Sequence, residues 1–380
     1  MLEGEKKFKE NYKKLNSAQK KAVDTIEGPV MVVAGPGTGK TQVLTLRVAN
    51  ILRKTDISPN NILVLTFTEA ASASLRKRLA SFVGAAAYAV EITTFHGFGN
   101  EIIKRYPEYF PRIIGARQIN EVEQIALIEE AIGILNLNIL KPFGDAFLYV
   151  RSIVSAIGHL KREGVGVEDF ELIVKESFED FENISDLYHD KGVYKGRMKA
   201  KYSNLRRQIE KNRELALVYR YYQDELLKQR FYDYDDMIME TLRSFKESPD
   251  LLNLLQEEYQ YILIDEHQDT NNAQNRLIEL LANFHSSPNI FVVGDEKQAI
   301  FRFQGASLEN FYYFKNLYPD AELIILKKNY RSQQTILDAA DSLLPGREKL
   351  ITETILSKKP ISFYFFSTAD MEIYFLAKDI

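Results

Sequence analysis

Cysteine is absent from the 380 residues, which excludes disulfides and thiolate metal sites. The five histidines are scattered without ligand-like spacing, which argues against a structural zinc. An excess of either charge is missing too: 49 Lys and Arg stand against 53 Asp and Glu, a formal net charge of −4. The chain as a whole is therefore not a polybasic polymer binder, and any strongly charged surface must be local. No apolar run reaches membrane-spanning length, and the opening MLEGEKKFKENYKKLN lacks the apolar core of a secretory signal. The expectation is a cytoplasmic protein with no membrane partner. What is present, 45% hydrophobic and 27% charged residues over a length sufficient for two or three domains, has the profile of a soluble globular protein.

Short β-branched runs recur, each followed by a helical pattern: VMVVA ending at Ala34, ILVLT at Thr66, YILID at Asp265, IFVVG at Gly294 and LIIL at Leu326. Runs apolar throughout, instead of alternating, predict parallel strands covered on both faces. From Phe98 to Lys228 the texture turns to charged, amphipathic helix such as EVEQIALIEEAIGIL, which predicts a helical insertion between two halves of one α/β domain. The expected division is 1–97 and 229–326 for the two parts of that domain, 98–228 for the insertion, and 327–380 for a new segment. That segment opens with a helix, SQQTILDAADSLL, followed by a strand, ISFYFF, and leaves little room for a complete domain. Late in the insertion, Lys195 to Arg213 is rich in Lys and Arg; a solvated helix face and a phosphate-facing patch are both open readings.

The loop AGPGTGKT, Ala34 to Thr41, matches the P-loop pattern except for alanine at its first position. Gly35, Gly37, Thr38 and Gly39 would form the phosphate cradle. Gly37 and Gly39 let backbone N–H groups turn inward, and the following helix adds its positive N-terminus. Pro36 contributes no N–H. Lys40 would reach the β- and γ-phosphates, and the Thr41 hydroxyl a magnesium ion. The second half of such a site is an acidic residue closing a buried strand, and YILIDEHQDT supplies Asp265 to orient the metal and Glu266 to polarise an attacking water. Coupled to the loop, the pair favours hydrolysis over phosphoryl transfer to a small substrate. A third stretch, VVGDEKQAIFRFQGA, places Gln298 where an amide could reach a γ-phosphate, and then alternates Phe301 and Phe303. These rings are either core or a platform on which bases stack.

The ordered series LNSAQ, AGPGTGKT, LTFTEAAS, TTFHGF, ILIDEHQDTNNAQ, VVGDEKQAIFRFQGA and NYRS resembles the motif set of UvrD/Rep-type superfamily 1 DNA helicases over nearly the whole chain. RecB- and AddA-like helicase–nucleases share the set. The resemblance implies a RecA-like P-loop parallel sheet with an inserted helical subdomain, followed by the start of a second RecA-like domain. It also implies ATP and Mg2+ as cofactors, with single-stranded DNA and its junctions with duplex as partners. By the same resemblance Gln19 reads the adenine edge, Lys40 and Thr41 hold phosphate and magnesium, Asp265 is the metal ligand and Glu266 the catalytic base. Gln298 and Arg331 would sense the γ-phosphate, and Tyr330 would pack on the adenine. Phe67, Thr94, His96, Phe301 and Phe303 would line the single-strand path, their rings stacking and their hydroxyl and imidazole groups meeting phosphates; for His96 a satisfied core histidine is the alternative.

Several positions depart from the family. Glu69 and Ala70 follow Thr-Phe-Thr where Asn-Lys is frequent, Phe303 stands where tryptophan is common, and Gln304 stands where arginine is frequent. No stretch resembles the two later motifs, one of which carries a further arginine. The expectation is the N-terminal half of an ATP-dependent helicase, weakly active by itself. A helicase–nuclease motor and a nucleotide-dependent DNA-binding module without motor activity are the competing readings.

Overall fold

The computed structural model describes residues 2–284, 287–298, 308–343, 349–355 and 360–379. Six strands form one sheet: β1 (Val30–Ala34), β2 (Ile62–Thr66), β3 (Glu91–Thr94), β4 (Tyr261–Ile264), β5 (Ile290–Gly294) and β6 (Glu322–Leu326). Their order is β3-β2-β4-β5-β1-β6, with every neighbouring pair parallel. This is the parallel α/β sheet expected of a RecA-like P-loop domain. The five apolar runs are five of its strands. The sixth, β3, reads EITT with alternating burial, because it lies at the sheet edge.

The two-residue period of a strand decides which face each side chain joins. Val30, Val32 and Ala34 of β1 enter one core with Val64, Leu263, Phe291 and Val293, while Met31 enters another with Leu65, Ile262, Ile264 and Val292. Helices α1 (Leu2–Lys13), α2 (Ser17–Asp24), α3 (Lys40–Lys54) and α4 (Glu69–Val83) cover the first face. Within it the buried Arg47 of α3 donates to the carbonyls of Ala22, Thr25 and Ile26 at the end of α2, which ties α2 to the helix that follows the glycine loop.

Helix α5 (Phe95–Arg105) starts the second face, and the chain then leaves the sheet. Four helices, α6 (Glu121–Ile134), α7 (Val150–Arg162), α8 (Val167–Glu182) and α9 (Ser203–Lys228), gather around a third core that runs from Ile119 to Phe231. Phe98, Ile102, Phe110 and Ile113 still pack beneath the sheet, so the packing changes later than the sequence texture does. A short parallel pairing of Arg117–Gln118 with Phe231–Tyr232 holds the entry and exit of this helical unit together. The chain returns through α10 (Asp236–Glu247), α11 (Pro249–Glu258), α12 (Asn272–Ala282) and α13 (Leu308–Leu317) to complete the second face.

Beyond β6, Lys328–Asn329 pairs in parallel with Ile351–Thr352, flanking α14 (Gln334–Leu343), and α15 (Ala369–Asp379) follows. The strand expected at ISFYFF does not form. Residues 361–366 lie outside any sheet, with Phe363 and Phe365 exposed, because an apolar run becomes a strand only beside an edge to pair with. Among the described residues no helix is long and apolar enough to cross a membrane.

Candidate nucleotide site and its flanks

The glycine loop joins the C-terminal end of β1 to the first turn of α3. Gly37 and Gly39 adopt φ of +71° and +89°, the left-handed region where a side chain is strained. Gly39 precedes α3 without a side-chain cap, so the first N–H groups of the helix are left to the loop and to whatever enters it. The Thr38 hydroxyl donates to the Gly35 carbonyl at 2.7 Å and closes the loop on itself. Thr41 stands in the first turn of α3, half-buried.

Parallel pairing carries the end of β4 to the same edge of the sheet, and there Lys40 Nζ meets Glu266 Oε2 at 2.6 Å. The Lys40 side chain is 10% exposed and that of Glu266 37%. Glu266 holds φ +48°, ψ +46°, an uncommon backbone for a residue with a side chain, and such strain tends to gather where function demands a geometry. Gln268 fixes it from behind: its Nε2 donates to Glu266 Oε2 at 2.9 Å while its Oε1 accepts from the Asp295 N–H at 2.8 Å. Gln268 thus ties the β4 end to the β5 end, and a Cβ on Gly294 would fall 2.5 Å from its Oε1.

Asp265 accepts from the Glu266 N–H and is buried. Burial, reinforced by the Glu266 charge and opposed by Lys40, pushes its carboxyl up to about 6. Asp269 is pushed up to about 6 by the same causes, and its Oδ1 is buried without a hydrogen-bond partner. Three acidic side chains thus share one ammonium group. Among the described residues no three His, Cys, Asp or Glu side chains converge as a metal cage. The hydroxyl and carboxylate donors of Thr41 and Asp265 suit a hard cation completed by phosphate oxygens, as magnesium is usually bound.

The residues expected around the nucleotide gather at this edge. Gln19 is buried in the capping box of α2: its Oε1 accepts from the Asn16 N–H and its Nε2 donates to the Thr38 carbonyl at 2.9 Å. Its amide therefore anchors the loop, leaving one amide proton and one lone pair for a base edge. Tyr330, exposed, accepts from Asn16 Nδ2 through its hydroxyl. Arg331 lies against the loop, its Cβ 2.6 Å from where a Cβ on Gly37 would stand. Gln298 turns its amide to Asp295, donating at 2.7 Å.

The residues expected on a DNA path are only partly described. Phe301, Phe303 and Gln304 lie outside the described residues. Phe67 follows β2, half-buried. The Thr94 hydroxyl caps α5 by accepting from the Gly97 N–H and gives its own proton to Glu69 Oε1 at 2.8 Å. His96 stacks on Tyr234, ring centroids 3.7 Å apart, and burial lowers its imidazole to about 4. Within the basic stretch Lys199 and Lys201 bind Asp186, and Arg206 pairs with Glu210; Lys195, Arg207 and Arg213 are exposed.

Two groups escaped the sequence reading. Tyr234 is half exposed beside His96, and the signal for it was an aromatic framed by aspartates in FYDYDDM. On the other side of that turn, Lys161 meets Asp233 and Asp236 at 2.5 and 2.7 Å. A lone lysine on the apolar face of α7 was its only sign.

A parallel sheet whose first strand feeds a glycine loop, with a lysine reaching the acidic end of the strand two places away, defines a P-loop α/β domain. Residues 15–319 match the family described as UvrD/REP helicase N-terminal domain, and the chain belongs to that family. Among curated relatives, the ATP-dependent DNA helicase PcrA of Staphylococcus epidermidis is 34% identical over 332 residues, 87% of this chain and 40% of the relative. The PcrA of Staphylococcus aureus is 33% identical over 335 residues, 88% of this chain and 40% of the relative. The chain thus spans about 40% of the length of these relatives.

Proposed function

We propose that this chain is the ATP-binding motor portion of a DNA helicase that moves on single-stranded DNA, and that its glycine loop and acidic strand end form half of a hydrolytic site. The observation that carries the reading is the contact of Lys40 with Glu266 at the mouth of the loop. A triphosphate seated there competes for the ammonium group, because phosphate oxygens offer Lys40 more negative charge than one half-exposed carboxylate. Lys40 then moves to the phosphates, and Glu266 is left with Gln268 as its partner, ready to accept a proton from the attacking water. Thr41 and Asp265 would hold magnesium, which when bound neutralises charge on the phosphoryl oxygens. Gln19 and Tyr330 flank the base, and Arg331 and Gln298 face the γ-phosphoryl group. Phe67, Thr94 and His96, with Tyr234 beside them, form the described part of a single-strand track.

Removing the only side-chain cation of the loop tests this. Lys40→Ala should weaken ATP binding by about tenfold to a hundredfold, the loss of charge-assisted contacts worth roughly 1.5–3 kcal/mol. Equal affinity of variant and parent in calorimetry would sink the site. Glu266→Gln should keep ATP affinity and lose about 10² to 10⁴ in phosphate release; a module that binds nucleotide without hydrolysing it shows no such split.

A further inference from the structure

The glycine loop is held from outside by residues after β6. Asn329, fully buried, donates from Nδ2 to the Pro36 carbonyl at 2.5 Å, and the Tyr330 N–H donates to the Gly37 carbonyl at 2.9 Å. The other end of the same Asn329 amide, Oδ1, accepts from the N–H groups of Arg331 and Ser332 at 2.8 and 2.7 Å. One side chain therefore fixes both the loop and the start of the segment carrying Arg331. The contact leaves no space: a Cβ on Gly37 would lie 2.8 Å from Asn329 Nδ2, and one on Gly35 would lie 2.7 Å from Leu350 Cδ1.

This grip sets the direction of the loop's donors. A peptide unit is planar and trans, so the carbonyl of one residue and the N–H of the next point opposite ways. Holding the Pro36 carbonyl on the outside turns the Gly37 N–H inward, the direction a phosphate cradle requires, while the Thr38 N–H bonds the Gly35 carbonyl at 3.4 Å within the loop. Asn329 is itself held rigidly. Its carbonyl accepts from Glu353, its strand pairs with Ile351–Thr352, and Gln334 bonds both Leu350 and Thr352.

We propose that Asn329 is a positioning residue that braces the nucleotide loop by its amide bond to Pro36 and couples the loop to Arg331. The inference rests on the nucleotide-binding reading of that loop. Asn329→Asp isolates the brace, because the carboxylate still accepts from Arg331 and Ser332 but meets the Pro36 carbonyl with an acceptor in place of a donor. ADP is the probe, since it lacks the phosphoryl group that Arg331 would meet. Asn329→Asp should weaken ADP and ATP by the same factor, roughly 3- to 10-fold, whereas Arg331→Ala should weaken ATP alone. A folded Asn329→Asp that binds ADP as the parent does overturns the brace, and so does a loss confined to ATP.

Should the variant fail to fold, amide exchange in the parent decides. ADP should slow the Ser332 amide together with that of Gly37, and slowing of the loop amide alone overturns the coupling. A parent that binds no ADP removes the nucleotide reading and the brace with it, and is told apart because the unmutated chain fails.

Discussion

Two of the lysine–carboxylate contacts in this molecule, one at the glycine loop and one where the helical unit joins the sheet, are finished to different degrees. Lys161 has no exposed side-chain surface and spends its three protons on Asp233, Asp236 and Gln223. The acceptors are satisfied in turn: Tyr222 donates to Asp233, and Asp233 and Asp236 exchange backbone N–H bonds with each other's carboxylates. Burial opposes its charge, yet the two aspartates hold Lys161 well above the ordinary lysine range. Among the described residues Lys40 has one carboxylate in contact, itself 37% exposed. Around it Asp265 and Asp269 are pushed up to about 6, and an Asp269 oxygen is buried without a partner. A closed network has nothing left to offer a ligand. An open one with excess negative charge and a partly accessible cation retains the capacity to rearrange around phosphate and metal.

The sharpest way to break this comparison is to remove each ammonium group and ask what is lost. Lys161→Met leaves two buried carboxylates facing each other, and removing one partner of a sealed ion pair costs about 3–5 kcal/mol. Urea denaturation should show that loss. Lys40→Met should stay within about 1 kcal/mol of the parent, because Glu266 can turn to water and a partly exposed pair is worth little. Equal stability losses for the two variants would erase the distinction between sealed and open sites.

How much of this was legible in sequence follows from the distance over which each feature is built. The loop and its acidic partner could be read because each is a local pattern: an apolar run of strand length, then glycines and Lys-Thr, or a run closing in Asp-Glu. β3 was missed as a strand because EITT is short and half polar, although its last threonine was picked out as a site residue. ISFYFF misled for the opposite reason, having a strand's composition without an edge to join. The brace and the sealed cluster were invisible. Asn329 and Pro36 are 293 residues apart and Lys161 and Asp233 are 72 apart, and neither asparagine nor lysine announces a distant partner. The helical unit was legible as a change of texture. Its core begins only at Ile119, because α5 has the same amphipathic period whether it packs on the sheet or on other helices.

His96 sharpens the comparison at the seam itself, since its stacking partner Tyr234 sits between Asp233, which serves the sealed cluster, and Asp235. Burial lowers His96 to about 4, and its Nε2 is buried without a hydrogen-bond partner. The unfolded chain protonates histidine near 6.5. The stabilisation from keeping His96 neutral is therefore complete above about pH 6.5 and is lost as pH falls toward 4. His96→Phe keeps a ring against Tyr234 without the proton site, so between pH 7 and 4.5 the parent should lose about 2–3 kcal/mol more than the variant. Parallel stability profiles would show that His96 is solvated. At neutral pH the group acts as a neutral imidazole, so any part it takes in binding single-stranded DNA should be flat between about pH 6 and 8.

The smallest effect concerns Glu69, an unsealed charge on the open side of the molecule. Its carboxylate takes the Thr94 hydroxyl proton at 2.8 Å, so a donor expected to meet a DNA phosphate is already engaged, and a negative charge stands beside it. Glu69→Gln keeps an acceptor for Thr94 and removes the charge. If a phosphate passes nearby, affinity for single-stranded DNA should rise by roughly 2- to 5-fold at low salt, the size of an exposed charge interaction of about 0.5–1 kcal/mol. The gain should shrink as salt screens it. Glu69→Ala also frees the Thr94 hydroxyl, so it should match or exceed the glutamine variant while leaving the Gly97 cap of α5 in place. Anisotropy titrations of both variants at two salt concentrations separate the outcomes. No gain at low salt would place Glu69 and Thr94 off the path of the strand, whereas a gain unchanged by salt would point to relief of the hydroxyl and away from electrostatic repulsion.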